Sequence, residues 1–291
     1  MLDEVPPPDA HEVARIVRRA LAEDRAAHDV TTRALVPPDQ RGRGAFLFKA
    51  SGVVCGIEVV RAVFGAMSPD LELEVFAADG SSVDTGHVVA EVTGPLAPML
   101  SGERVALNLL QRMSGIATLT RRFVQAAAEG GPAQVLDTRK TTPGLRELER
   151  YAVRVGGARN HRNTLEDGIL IKDNHIEAAL KRGVAIPDLV EAARRHAPHT
   201  LRVEVEVTDA ATALLAIAAR ADVVLLDNMS PREMRQVVES ADGDGTLFEA
   251  SGGVTLETVR DIAATGVHLI SAGALTHSAP ALDISLELEA L

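Results

Sequence analysis

VEVEVTDAATALLAIAARADVVLLDN, residues 203–228, reads as one complete strand–helix–strand unit. A strand is expected at Arg202–Val207, where Val alternates with Glu, and Val is stiff at χ1 and at home in a strand. Ala210–Arg220 is rich in Ala and Leu, the composition of a helix. Val223–Leu226 is then a continuous apolar run, as expected of a strand covered on both faces. Two strands joined through a helix lie parallel.

Further short apolar strands follow at Leu247–Ala250 and Leu269–Ser271. Strand centres therefore recur about every 20 to 24 residues, the repeat of consecutive βα units in a parallel sheet closing into a barrel. Upstream, Ala133–Leu136 and Gly168–Ile171 have the same character, and helical patterns lie between at Leu145–Val155, Asp188–His196, Pro231–Ser240 and Leu256–Ala264. No GxGxxG or GxxxxGK[ST] loop is present, which argues against a dinucleotide fold or a P-loop. The pattern predicts an α/β barrel with fewer than eight strands.

The N-terminal third has a different rhythm. Asp9–Asp24 reads as a helix with Asp9 as N-cap after Pro6–Pro8, and residues 28–44 read as a loop entering a sheet. Strands are expected at Gly44–Val54, Leu71–Ala77 and Val88–Val92, with a short helix at Ile57–Met67. Pro98–Glu129 is strongly helical, and Ser114-Gly115 predicts a break or kink into two helices. Arg104 and Arg112, among apolar neighbours, read as side chains that snorkel to solvent. The tail from Ala281 alternates apolar and polar residues like a half-buried strand outside the barrel.

Composition sets the outer bounds. The chain has 291 residues, 46% apolar and 24% charged, enough for a sizeable core in one large or two ordinary domains. Its single Cys55 excludes an internal disulfide or a Cys-based zinc site and fits a reducing compartment. No apolar run approaches the roughly 18 residues that span a bilayer. The acidic, proline-rich N-terminus is unlike a signal peptide, so a cytoplasmic protein without a membrane partner is expected. The net charge of −11 also argues against nucleic acid.

Within this acidic chain, residues 137–176 form a basic island. Arg139, Lys140, Arg146, Arg150, Arg154, Arg159, Arg162 and Lys172 stand against six carboxylates, a net charge of +2. An island of this kind is a place for an anion. Arg146, Arg150 and Arg154 recur at i, i+4 and i+8 and read as a solvated helix face. Arg139, His161, Arg162 and Lys172 sit at strand ends or in loops, where Arg forks and a Lys charge can grip carboxylates.

Barrel chemistry collects at the C-terminal ends of the strands. Those ends here carry Asp137-Thr138-Arg139-Lys140, Lys172-Asp173-Asn174-His175, Asp227-Asn228, Ser251-Gly252-Gly253 and Ala272-Gly273-Ala274. The two glycine loops can present backbone N–H groups to a phosphate, though a turn needing positive φ explains them equally. Glu204 and Glu206 point the same way, inward or toward the helices, and Glu206 and Asp227 can share a hydrated Mg²⁺ or form a plain surface pair.

The segment DTRKTTPGLRELERYAVRVGGARNHR (137–162), followed by ILIKDNHI (169–176), resembles the signature of the quinolinate phosphoribosyltransferase family. The segments LSGERVALNLLQRMSGIAT, VEVEV, LLDN, ASGGV and ISAGALTHS keep the family order, so the resemblance covers most of the chain. It implies an N-terminal α/β sandwich domain (residues 1–112, joined by a returning strand at 280–291). It also implies an incomplete α/β barrel of about seven strands over 113–279. The implied reaction takes quinolinate and phosphoribosyl pyrophosphate to nicotinate mononucleotide, pyrophosphate and CO₂, with Mg²⁺. It further implies a homodimer, hexameric in some members, with sites at the subunit interface.

Carried over by motif, Thr138, Arg139, His161, Arg162 and Lys172 bind quinolinate, and Arg104 reaches the pocket of a partner subunit, which replaces its snorkelling role. Lys140, Ser251, Gly252, Gly253, Ala272, Gly273 and His277 take phosphoribosyl pyrophosphate. Glu206 and Asp227 serve the metal and, with Lys140, the chemistry. Ala272 stands where the family commonly has Val, and Thr164 where a small residue is frequent. Competing readings are a paralogue with another anionic acceptor, a Schiff-base lyase using Lys172, and a non-catalytic protein.

Overall fold

In the computed structural model, which describes residues 5–241 and 245–291, the Asp9 carboxylate accepts the Glu12 N–H at 2.9 Å and caps α1 (Ala10–Glu23). Asp29 does the same for α2 (Val30–Leu35), accepting from Thr31 and Thr32 N–H at 3.0 Å each. This helix lies inside the stretch expected to be a loop. The Asp-x-Thr-Thr cap was its signal, outweighed by the turn-rich residues around it.

The chain then forms β1 (Arg41–Phe48), β2 (Gly52–Val53), α3 (Ile57–Met67), β3 (Glu72–Val75), β4 (Ser82–Val83) and β5 (Val88–Pro95). Strands β1, β5 and β3 join one antiparallel sheet, and β2 pairs separately with β4. On α3, Val60, Val63 and Phe64 are buried, and the Phe64 ring lies 6.0 Å from that of Phe46 on β1. The helix covers this sheet through that contact. Gly56 has no side chain to cap α3, so Asp79 accepts the Gly56 and Ile57 N–H groups instead, at 2.9 and 3.1 Å.

α4 (Leu96–Gly130) follows as one continuous helix of 35 residues, without the expected break. Ser114 turns its hydroxyl to the Cys55 backbone, at 3.1 Å from N and 3.2 Å from O. A Cβ on Gly115 would collide with the Pro280 carbonyl oxygen. The Ser-Gly pair therefore permits close packing and does not kink the helix.

The remaining elements are β6 (Gln134–Leu136), α5 (Arg146–Val155), β7 (Ile169–Ile171), α6 (Asp173–Leu180), α7 (Ile186–His196), β8 (Val203–Val207), α8 (Ala210–Ala218), β9 (Val223–Asp227), α9 (Pro231–Ser240), β10 (Leu247–Ser251), α10 (Val259–Ala263), β11 (Leu269–Ser271), α11 (Ala274–His277) and β12 (Ile284–Ala290). The tail strand β12 pairs antiparallel with β1, from Phe48 opposite Ile284 to Gly42 opposite Ala290, giving the order β12-β1-β5-β3.

Two units result. The first holds the residues up to Arg121, Thr141–Gly157 and Leu275–Leu291; the second holds Arg122–Lys140 and Ala158–Ala274. Residues 113–121 and α5 thus fall in the first unit. The α5 helix is buried on most sides, which overturns its solvated arginine face: Arg150 is only 2% exposed. Arg146 donates to the Thr141 hydroxyl at 3.0 Å, and Arg154 lies over the Tyr151 ring.

Arg112 likewise does not snorkel. Its guanidinium grips Glu149 at 2.8 Å and donates to the Thr276 and Ala279 carbonyls.

The second unit is a parallel sheet in the order β6-β11-β10-β9-β8-β7. Arg159 adds a single parallel bridge beside Leu136 of β6. The six strands and this one-residue bridge make seven parallel segments. Among the described residues no pairing joins the Arg159 segment to β7, so the barrel is open there.

Candidate active site

Strand register decides which side chains share the barrel interior. Glu206 stands opposite Leu225, and Leu225 opposite Glu249; Asp227 stands opposite Ser251. Opposed residues in a sheet face the same side, and residues two apart on a strand do too. Glu204, Glu206, Asp227, Glu249 and Ser251 therefore share one face. Leu170 opposes Glu204, which places Lys172 level with Glu206. The glutamates of VEVEV point inward, and the valines point to the helices.

Asp137 ends β6 fully buried. Its carboxylate accepts Asn160 Nδ2 at 2.7 Å and the His161 N–H at 2.8 Å, fixing the loop that carries His161 and Arg162. His161 Nε2 then lies 3.3 Å from Glu204 Oε2 and 3.5 Å from Glu249 Oε1. Its Nδ1 accepts the Arg162 N–H at 2.7 Å.

Burial alone would lower the His161 pKa, but hydrogen bonds and charge from Glu204 and Glu249 reverse this and lift it to about 10. The Arg162 N–H acts against a second proton, because only a singly protonated ring accepts at Nδ1. In this geometry the ring proton sits on Nε2. Burial, and then the Glu249 charge, push the Glu204 carboxyl above its usual range, with His161 pulling the other way.

Around this cluster stand the cations. Arg139 is half-buried, and its Nε is buried with no hydrogen-bond partner among the described residues. Burial, and next the neighbouring Arg139 guanidinium, hold Arg162 below the usual arginine range. Arg162 also donates to the Gly168 carbonyl at 3.2 Å. Lys172 Nζ meets Glu206 Oε2 at 2.9 Å, and Asn228 Nδ2 donates to Asp227 at 2.8 Å. Thr138 accepts the Lys140 N–H at 3.1 Å, turning the chain after Arg139.

The two glycine loops differ. Gly252 has φ +84°, and a Cβ there would strike the Asn228 side chain and stand 2.8 Å from its N. Asn228 is itself left-handed at φ 55°, and its N–H donates to the Ser251 carbonyl at 2.9 Å. Residues 254–258 separate Ser251-Gly252-Gly253 from α10, so that loop does not run straight into a helix N-terminus. Ala272-Gly273 leads directly into the four-residue α11, and the Ala272 N–H donates to the Leu136 carbonyl at 3.0 Å.

The second unit thus brings together Thr138, Arg139, Lys140, His161, Arg162, Lys172, Glu206, Asp227, Ser251, Gly252, Gly253, Ala272 and Gly273. Arg104 and His277 belong to the first unit, both exposed, Arg104 on α4 and His277 with Nδ1 at 2.6 Å from Ser278 Oγ. Sequence reasoning did not single out Glu249 or Asn160. The signal for Glu249 was a lone carboxylate in the apolar run LFEAS.

Known proteins can now be set beside this geometry. A family model described as the quinolinate phosphoribosyl transferase N-terminal domain matches residues 29–114, and its C-terminal counterpart matches residues 116–287. A probable carboxylating nicotinate-nucleotide pyrophosphorylase of Synechocystis is 42% identical over 270 residues, covering 92% of this chain and 90% of its own length. A Bacillus subtilis protein of the same description is 40% identical over 277 residues, covering 95% and 93%. Among solved structures, NadC from Streptococcus pyogenes superposes with a TM-score of 0.92 at 36% identity, over 98% of this chain and 99% of that one. The chain belongs to the quinolinate phosphoribosyltransferase family.

Proposed function

We propose that this chain transfers the phosphoribosyl group of phosphoribosyl pyrophosphate to quinolinate with decarboxylation, giving nicotinate mononucleotide, pyrophosphate and CO₂, a step of NAD biosynthesis. The supporting observation is the placement of two half-buried arginines, Arg139 just after β6 and Arg162 just after the Arg159 segment bridged to it. Cations on adjacent segments suit a dianion, and quinolinate is one.

Arg139, Arg162 and Lys172 grip the two carboxylates, with Thr138 beside them and Arg104 supplied by a second copy of the chain. His161 belongs to the same pocket. The pyridine nitrogen attacks ribose C1 as pyrophosphate leaves, so no protein nucleophile is needed. The quaternised nitrogen then accepts the electron pair released when the adjacent carboxylate departs as CO₂, and that carbon is protonated.

Glu206 and Asp227, on the face that also carries Ser251, stabilise positive charge building on the ribose. Lys140 neutralises the leaving pyrophosphate. Ser251, Gly252, Gly253, Ala272, Gly273 and His277 hold the phosphates. The donor set fits a hard divalent ion: two carboxylates on adjacent strands, open to substrate oxygens. Glu206 and Asp227 would hold Mg²⁺ there, and it would supply charge neutralisation to the pyrophosphate.

A homodimer follows from the role of Arg104. A reducing, cytoplasmic setting suits the one cysteine, whose buried thiol is pushed well up in pKa. The Schiff-base alternative is disfavoured because Lys172 is half-exposed and ion-paired with Glu206, not lodged in an apolar pocket.

The test is turnover with quinolinate, phosphoribosyl pyrophosphate and Mg²⁺, following pyrophosphate and nicotinate mononucleotide, with Arg139→Ala as control. Dependence on all three components and collapse in the variant support the proposal. Binding of phosphoribosyl pyrophosphate without turnover of quinolinate would assign a different acceptor.

A further inference from the structure

Glu204 and Glu249 are 8% and 1% exposed, and Oε1 of Glu204 has no hydrogen-bond partner among the described residues. Two carboxylates buried this deeply, on strands β8 and β10, cost stability unless something requires them. What they face is the His161 Nε2, at 3.3 and 3.5 Å. The opposite ring nitrogen accepts the backbone N–H of Arg162 at 2.7 Å. Both ends of the imidazole are therefore engaged inside the chain.

His161, Glu204 and Glu249 also place their donor atoms within 4.8 Å of one another, a spacing that suits a cation. The tautomer argues against a metal. Metal at Nε2 needs the lone pair there and puts the ring proton on Nδ1, which would then confront the Arg162 N–H donor to donor. A proton on Nε2, directed at the two carboxylates, satisfies both ends of the ring.

We propose that Glu204 and Glu249 are positioning residues for quinolinate recognition: they hold the His161 ring by its Nε2–H, and the ring in turn pins the Arg162 backbone so that its guanidinium is aimed into the anion pocket. The inference rests on the function proposed above. Glu204 and Glu249 act through His161 and do not touch substrate. Loss of the grip frees the ring, the loop slackens, and quinolinate is held less well, while the phosphoribosyl side is untouched.

The experiment measures KM for each substrate and kcat in wild type, Glu249→Ala and Glu249→Gln, all loaded with Mg²⁺. In Glu249→Ala the quinolinate KM rises about tenfold, the weight of one hydrogen bond to a charged group. The KM for phosphoribosyl pyrophosphate and kcat stay within about twofold, and Glu249→Gln recovers most of the loss because its amide oxygen can face Nε2 as the carboxylate does. An equal loss in all three parameters, or no rescue by Gln, overturns the inference.

Nitrogen-15 NMR of the histidines in the wild-type protein gives a second reading that does not depend on a variant folding. A protonated Nε2 and an unprotonated Nδ1 at His161 support the bridge. The reverse tautomer, or a bound metal ion lost in Glu249→Ala, overturns it. Wild type that fails to turn over quinolinate sinks the proposed function instead, leaving the NMR result to judge the bridge.

Discussion

Lys172 Nζ and Glu206 Oε2 stand 2.9 Å apart at the C-terminal ends of the neighbouring strands β7 and β8. The pair joins a residue assigned to quinolinate with one assigned to the metal and phosphoribosyl side. With the proposed roles, loading the site exchanges this contact for substrate contacts. Lys172→Ala should raise the quinolinate KM by about ten- to a hundredfold, as expected for losing one charge-assisted hydrogen bond. Glu206→Gln should lower kcat and weaken the response to Mg²⁺. Steady-state kinetics at varied Mg²⁺ separates the two, and identical defects would argue against the division of roles.

Arg139→Lys is expected to behave much like Arg139→Ala. The half-buried guanidinium offers a planar fork that lysine cannot reproduce, although the charge is kept. Calorimetric titration with quinolinate reads this directly: both variants should lose about tenfold or more in affinity. A Lys variant that binds like wild type would mean that charge alone recruits the ligand.

Two influences on His161 oppose each other: Glu204 and Glu249 lift its pKa to about 10 from the ordinary 6.5, while the Arg162 N–H at Nδ1 resists the second proton. A second proton held by the folded protein would add stability that is fully present below pH 6.5 and lost as pH rises toward 10. Thermal unfolding from pH 6 to 10.5 should instead give parallel curves for wild type and His161→Gln, because the ring stays singly protonated throughout. A loss of wild-type stability across that window would show that the ring carries both protons.

Arg112→Ala should destabilise the protein on the order of 3 kcal/mol, because Glu149, 1% exposed, is left as a buried carboxylate without its cation. The expected fall in Tm is about 5 °C. A truly snorkelling arginine would be replaced at almost no cost in Tm.

Gly115→Ala gives an unusual sign. Alanine favours a helix interior by about 1 kcal/mol over glycine, yet a Cβ here meets the Pro280 carbonyl. The substitution should lower Tm, and a rise would show that the 280–281 segment can move aside.

The sequence spelled out the strand ends well. Polar or glycine endings on successive apolar runs mark a barrel rim, and Asp137, Lys172, Asp227, Ser251 and Ala272 all lie where that rule puts them. Burial was harder to read. Arg112 and Arg150 carry the charge of surface residues, and only tertiary partners at a distance in sequence, such as Glu149 for Arg112, bring them inside. Ser114-Gly115 has the composition of a kink, but its cause is a chain crossing from residue 280, which no local window contains. Glu249 looked like an ordinary strand residue because inward and outward positions in a short strand cannot be told apart until the register is known.

The pairing of β12 with β1 has a consequence for synthesis. The first unit takes its sheet from strands far apart in sequence, with Gly42–Phe48 opposed by Ile284–Ala290. Until Ile284–Ala290 have left the ribosome, β1 is an open edge, and Phe46 and Phe48 lack the neighbouring strand beside them. The barrel unit can assemble before then, whereas the unit that holds β1 is completed later. Removing the β12 strand should therefore leave an exposed strand edge prone to association between molecules, even with every proposed substrate-binding residue still in place.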